Sequence, residues 1–322
     1  MAMNKVAIIG AGQVGYLTAQ KITQSNLCSS IALVSRDANN VRGLALDIEH
    51  AASMHDSDID ILADNDYKII TDANVIVLTA GQMRHQGMSR LDLVDENISI
   101  VDNILNKILE YAPGAYLIMV TNPVDVLTYY AWKRTGWSKN RIMGLSCVLD
   151  SARMNSLIAK YSGFSVKDIS SMVIGGHGDS MVPLPEYSTI NGIPIRNFIS
   201  NDVINNIIES TKKAGTEIID LKKSSGYVAA SSSIVSMINA IMNRKKMIVP
   251  CVGVVDGEYG IDDAAIGLPM TIGENGIDNI VQLDLTESQR TELLNSSREI
   301  KQHISRINNM KMKSNIKPVL CG

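Results

Sequence analysis

Short apolar runs at 6–9, 31–34, 59–62, 75–78 and 116–120 punctuate the first half of the chain, separated mostly by stretches whose apolar residues recur with helical spacing. Runs of four or five residues bounded by glycine and polar residues are strand-like, and a strand–helix alternation predicts a mainly parallel, doubly wound sheet. The first unit is the plainest. Val6-Ala7-Ile8-Ile9 ends in glycines, and Val14, Leu17 and Ile22 then mark a helix. Ile98, Val101, Ile104, Leu105, Ile108 and Leu109 form another apolar helical stripe, stopped at Pro113-Gly114. Beyond about Gly144 the texture changes. A helix is expected over 150–161, a hairpin over 187–195 turning at Asn191-Gly192, helices over 201–221 and 227–243, and antiparallel strands over 248–255 and 264–272. Thr286 and Gln289 make a capping box for a last helix carrying Leu293, Leu294, Ile300, Ile304 and Ile307.

The pattern therefore predicts an α/β protein, a Rossmann-like doubly wound parallel sheet with a second, mixed α/β domain. The expected division is 1–146 for the first domain, 147–308 for the second, each with its own core, and a polar, basic tail at 309–322. Composition narrows the classes. A net charge of -3 and a pI near 6.0 give no electrostatic footprint for nucleic acid or an anionic membrane surface. With 45% apolar and 20% charged residues the chain has the balance of a globular protein, and no run is long enough to span a bilayer. Cys28, Cys147, Cys251 and Cys321 are scattered without CxxC spacing, so reduced thiols and a cytoplasmic setting are expected, with no metal site. The start of the chain enters its first strand with no signal-type apolar stretch.

Four segments carry candidate chemistry. Gly10-Ala11-Gly12-Gln13-Val14-Gly15 is a GxGxxG between strand and helix, where backbone approaches a pyrophosphate and the helix N-terminus supplies donors. An NAD site also calls for an acid closing the second strand; here Val34 is followed by Ser35-Arg36, with Asp37 just beyond. Either Ser35 and Arg36 receive a 2′-phosphate, or Asp37 takes the ribose role. Asn122 follows the strand at 116–120 and so lies at the carboxyl edge of the sheet, where its amide is placed to orient a carbonyl oxygen or a nicotinamide. Finally, Gly175-Gly176-His177-Gly178-Asp179 follows Asp150 and Arg153, which share a helix face three residues apart. A histidine held by a carboxylate is a proton carrier, and a guanidinium beside it clamps a substrate carboxylate. Taken alone, His177 reads better as a core histidine beside a helical ion pair; its company makes the catalytic reading the stronger.

The order GAGQVG, AGQMRHQGMSR, VTNPVD, LDSAR and GGHGDSMVP resembles the lactate/malate dehydrogenase family, from Lys5 to about Ile307. The resemblance implies hydride transfer between a nicotinamide cofactor and a small 2-hydroxy/2-keto acid. His177 then stands for the family's proton donor and acceptor and Asp150 for its orienting carboxylate. Arg153 stands for the clamp on the C1 carboxylate, Arg90 for the loop arginine that polarises the carbonyl, and Asn122 for the asparagine that contacts substrate. Ser232 falls at the substrate wall, and Asn97 with the cofactor residues Gly10, Gly12, Gln13, Val14, Gly15, Ser35, Arg36 and Asn122. Arg84 occupies the specificity position, with arginine as on the malate side of the family, and Met88 points the same way. If Arg84, Arg90, Arg153 and protonated His177 surround one substrate against Asp150, a dicarboxylate balances the site better than a monocarboxylate. The cofactor implied is NAD, with NADP admitted by Ser35-Arg36, and a homodimer or homotetramer follows by resemblance. Tyr227-Val228-Ala229-Ala230-Ser231-Ser232 departs from the family's YAPGAS-like run. Lactate or another 2-hydroxy acid is the alternative substrate. Non-catalytic dinucleotide binding is more remote, because such a module needs no proton-transfer pair, and an NAD-dependent glycosidase would show metal ligands.

Overall fold

The computed structural model describes residues 4–82, 90–242 and 246–314. The apolar runs become strands because helices cover them on both faces: β1 (Lys5–Ile9) and β2 (Ser30–Val34) are buried after their first residue. α1 (Gln13–Ser25) joins them, and α2 (Ala38–Ala52) leads on to β3 (Asp60–Asp64) and β4 (Val75–Leu78). α3 (Arg90–Tyr111), β5 (Tyr116–Met119), α4 (Val124–Thr135) and β6 (Ile142–Gly144) complete this half. All these strands pair in parallel, in the order β3-β2-β1-β4-β5-β6. β1 lies between β2 and β4, so the connections turn in opposite directions on its two sides. That reversal opens a crevice at the carboxyl ends of β1 and β4, the usual ligand position in such sheets.

The second half is antiparallel. α5 (Cys147–Ser162) leads to β7 (Ile169–Gly175), β8 (Met181–Ile190) and β9 (Ile193–Pro194), the last two joined through Asn191 and Gly192 at positive φ as a primed turn requires. α6 (Asn201–Lys222) and α7 (Val228–Met242) precede β10 (Met247–Asp256), β11 (Asp262–Gly273) and β12 (Gly276–Ile280), and α8 (Glu287–Ser314) closes the described chain. α8 runs beyond the expected start of a tail at 309; residues 315–322 lie outside the described ones.

Among the described residues the two halves share one sheet. β6 pairs with β10 through Gly144 and Val252, and β11 with β7 through Gly267 and Gly175. The expectation of a separate core for each half is corrected by the packing. The larger core takes in β1, β4 and α3 but also Ile234, Met237, Ile238 and Ile241 of α7 and the strands β10 and β11. A smaller one, with Met154, Ile158, Val173, Ile204 and Ile207, is confined to the second half, between α5, α6 and the β7–β8 pair. The physical reason is that α7 packs its apolar face on α1, and Ser231 Oγ donates to the Val14 carbonyl oxygen at 3.1 Å.

Candidate active site

The glycine motif divides its labour by position. Gly10, at φ +114°, crosses so close to β4 that a Cβ would sit 2.6 Å from the Ala80 nitrogen, and one on Gly15 would strike the Gly10 carbonyl oxygen. These two glycines make the turn and seat α1 against it. Among the described residues, Gly12 has nothing within 4 Å of where a Cβ would lie, and no side chain caps the α1 N-terminus it begins. A pyrophosphate fits there, with backbone donors and the positive end of the helix dipole turned to it. Gln13 is exposed and Val14 half-buried at the same end.

Ser35 and Arg36 follow β2 directly, Ser35 half-buried and Arg36 exposed, with the Ser35 N–H donating to the Asp64 carbonyl oxygen at 3.2 Å. Asp37 caps α2, its Oδ1 accepting the Asn40 N–H at 3.0 Å. That carboxylate is therefore engaged at a helix end, which weakens its claim to the ribose role.

The histidine loop joins β7 to β8. Gly175 and Gly178 take φ values of +90° and +103°, a conformation that L side chains rarely adopt, and they turn His177 towards α5. His177 Nδ1 lies 3.0 Å from Asp150 Oδ2, and Arg153 Nη1 donates to Asp150 Oδ1 at 2.9 Å. One fully buried carboxylate thus holds both groups, one oxygen each, while the His177 and Arg153 side chains remain 23% and 16% exposed. Burial by itself would lower the His177 pKa, but the Asp150 charge and hydrogen bond, with the Asp125 charge, outweigh it and leave the pKa raised. With Nδ1 tied to the carboxylate, Nε2 is the nitrogen left for proton transfer. Asp150 also lies in the first turn of α5, where the helix dipole favours a negative charge.

Asn122 is exposed at the sheet edge, immediately before α4. Asn97, on α3, is fully buried: its Oδ1 accepts the Gln82 N–H at 2.7 Å, and its Nδ2 donates to the carbonyl oxygens of Asn122 at 2.8 Å and Gln82 at 3.2 Å. Its amide is spent joining the segment after β4 to the segment after β5, so Asn97 supports the crevice walls from behind. Ser232 is exposed on α7, its Oγ donating to the Val228 carbonyl oxygen at 3.2 Å. Arg90 is the first residue of α3, and Arg84 and Met88 lie outside the described residues.

Comparison with known proteins decides the family. The model of the lactate/malate dehydrogenase NAD-binding domain matches residues 4–144, and that of the family's α/β C-terminal domain matches residues 147–311. The malate dehydrogenase of Thioalkalivibrio sulfidiphilus is 45% identical over 306 residues, covering 95% of this chain and 100% of the relative. The chain belongs to the lactate/malate dehydrogenase family. Its fold is equally close to both branches. The malate dehydrogenase of Salinibacter ruber superposes with a TM-score of 0.92 at 35% identity, covering 97% of this chain and 100% of that one. A Cryptosporidium parvum lactate dehydrogenase, solved with lactic acid and nicotinamide adenine dinucleotide, gives 0.91 at 32%, covering 96% and 99%. Overall shape therefore does not choose the substrate within the family; the charged side chains must.

Two members of this dehydrogenase site were not singled out by sequence reasoning. Asp125, in the first turn of α4, accepts the His177 backbone N–H on Oδ2 at 3.1 Å, and Ser296 of α8 accepts the Gly176 N–H on Oγ at 2.8 Å. Ser296 carried no signal, being one polar residue on a helix. Asp125 did carry one: a carboxylate amid Val124, Val126 and Leu127, directly after the Asn122-Pro123 turn.

Proposed function

We propose that the chain is a malate dehydrogenase, interconverting (S)-malate and oxaloacetate with a nicotinamide dinucleotide. The observation that carries the reading is the chain of contacts from His177 through Asp150 to Arg153, which sets a proton carrier beside a carboxylate clamp. In reduction, Arg153 pairs with the C1 carboxylate through its guanidinium edge, and Arg90, at the head of α3, polarises the carbonyl. Asn122 orients the same carbonyl from the sheet edge. The nicotinamide, when bound, supplies the hydride. His177 gives its Nε2 proton to the carbonyl oxygen as the C2 carbon gains that hydride, so the ketone becomes a hydroxyl and the imidazole is left neutral. Asp150 keeps the ring in the orientation and protonation state that this step needs. Oxidation runs the same path backwards, with neutral His177 as the base.

The preference for a dicarboxylate rests on charge. Arg84, Arg90, Arg153 and protonated His177 bring four positive charges against the carboxylates of Asp150 and Asp125, leaving two. Oxaloacetate matches that remainder, whereas pyruvate strands Arg84. Arg84→Gln tests this directly. Removing the charge should shift the ratio of kcat/KM for oxaloacetate over pyruvate towards pyruvate by about 100-fold, equivalent to about 3 kcal/mol for a stranded charge. An unchanged ratio would place Arg84 outside the pocket.

NAD is the cofactor this reading favours, with NADPH tolerated better than where an acid closes β2, because Ser35 brings no negative charge and Asp37 is engaged as a cap. The division at 146/147, a homodimer or homotetramer, and a cytoplasmic setting complete the proposal, supported by the family resemblance and the unpaired thiols of Cys28, Cys147 and Cys251.

A further inference from the structure

Asp125 is 6% exposed and belongs to the half of the chain that holds the glycine motif, yet it grips the backbone of a loop in the other half. It lies three positions after Asn122. One short segment therefore sets both an amide at the sheet edge and the anchor of the histidine loop. Its second oxygen, Oδ1, is buried without a hydrogen-bond partner among the described residues.

A backbone N–H needs only an acceptor, and an amide oxygen serves. A buried carboxylate is a costly way to provide one, since burial disfavours its charge. Here burial pushes the Asp125 pKa up to about 6, against the opposing pull of the His177 N–H and the His177 charge. The charge it carries above that pH acts on the imidazole.

We propose that Asp125 is a second positioning carboxylate for the proton-transfer step: it hooks the His177 main chain to the sheet edge, and its charge joins that of Asp150 in holding the proton on the ring. This rests on the reading of His177 as the proton carrier. Among the described residues, the charged groups acting on His177 are Asp150 and Asp125, which raise its pKa, and Arg153, which lowers it; those acting on Asp125 are His177 and Asp150. Cys147 of α5 lies near both carboxylates, but burial drives its thiol pKa far up, and Cys251 of β10 is likewise pushed up to about 12, so both stay neutral. From α8 the contact to the loop is the uncharged Ser296.

The test uses the full-length protein with two substitutions, Asp125→Asn and Asp125→Ala. The asparagine keeps an acceptor for the His177 N–H and removes the charge; the alanine removes both. The His177 titration, followed by NMR in the absence of substrate, should move to lower pH in both variants by about one unit, a tenfold loss of proton affinity. The alkaline limb of kcat/KM for oxaloacetate reduction should move with it. The NADH dissociation constant should stay as in wild type for Asp125→Asn, whereas kcat should drop by a further order of magnitude in Asp125→Ala, with KM changed less. A His177 titration that coincides in wild type and either folded variant overturns the proposal. Failure of the underlying reading looks different: the wild type itself would then reduce no oxaloacetate, while the NMR titration would still report on Asp125.

Discussion

His177, the proposed proton carrier, illustrates how much of a side chain's behaviour is decided by neighbours that the sequence keeps far apart. Burial and the two carboxylates pull its pKa in opposite directions, and the carboxylates prevail. Because reduction consumes the protonated ring, oxaloacetate reduction should fall as pH rises through that raised pKa, while malate oxidation should rise over the same interval. His177→Ala should lower kcat by about 10²–10⁴-fold, the usual yield of general acid–base catalysis, and leave NADH affinity near wild type. Steady-state kinetics with a fluorescence titration of NADH separates the two effects; an alanine variant with wild-type turnover would remove His177 from the chemistry. Asp150 and Arg153 were legible as partners because their spacing puts them on one helix face. Asp125 was not, since nothing in the linear order pairs it with a histidine more than fifty residues away; only the adjacency of α4 and the β7–β8 loop does.

At the scale of elements, legibility followed the strength of the local signal. The alternation of apolar runs and helical stripes led to the parallel strands, and the Thr286–Gln289 box formed reciprocally, Gln289 Oε1 accepting the Thr286 N–H at 3.0 Å and Thr286 Oγ1 the Gln289 N–H at 3.3 Å. β6 escaped notice because three residues make too short a run, and β7 because Ser170 and Ser171 break its apolar alternation. α8 continues through Asn309-Met310-Lys311-Met312-Lys313, where no apolar stripe marks it but Met and Lys have good helix propensity. The junction of β2 with α2 has a functional reading as well as a structural one. An aspartate installed there by Ser35→Asp should reduce kcat/KM for NADPH by at least about tenfold while that for NADH holds or improves, since a carboxylate accepts from ribose hydroxyls and repels a 2′-phosphate. If NADPH is already strongly rejected and the substitution changes nothing, the end of β2 does not face the ribose.

The whole molecule joins two chemistries across a continuous sheet. The parallel half presents the dinucleotide crevice at the carboxyl ends of β1 and β4, and the antiparallel half presents His177, Asp150 and Arg153. The pattern of the sequence separated these halves but not their union, because the strand contact that merges them, Gly144 with Val252, is a single pair between a glycine and a distant strand. The hook from Asp125 to His177 crosses the same junction, so the proposed proton carrier is referenced to the half that holds the cofactor motif. The fold is shared by malate and lactate dehydrogenases alike, so the proposed choice of substrate rests on the balance of charge in the site. The most direct measurement is the ratio of kcat/KM for oxaloacetate over pyruvate with NADH in the unmodified protein. With Arg84 and Arg90 in the site as proposed, two surplus positive charges should favour oxaloacetate by at least about 100-fold, the equivalent of about 3 kcal/mol for a stranded charge; equal rates, or a preference for pyruvate, would contradict the account.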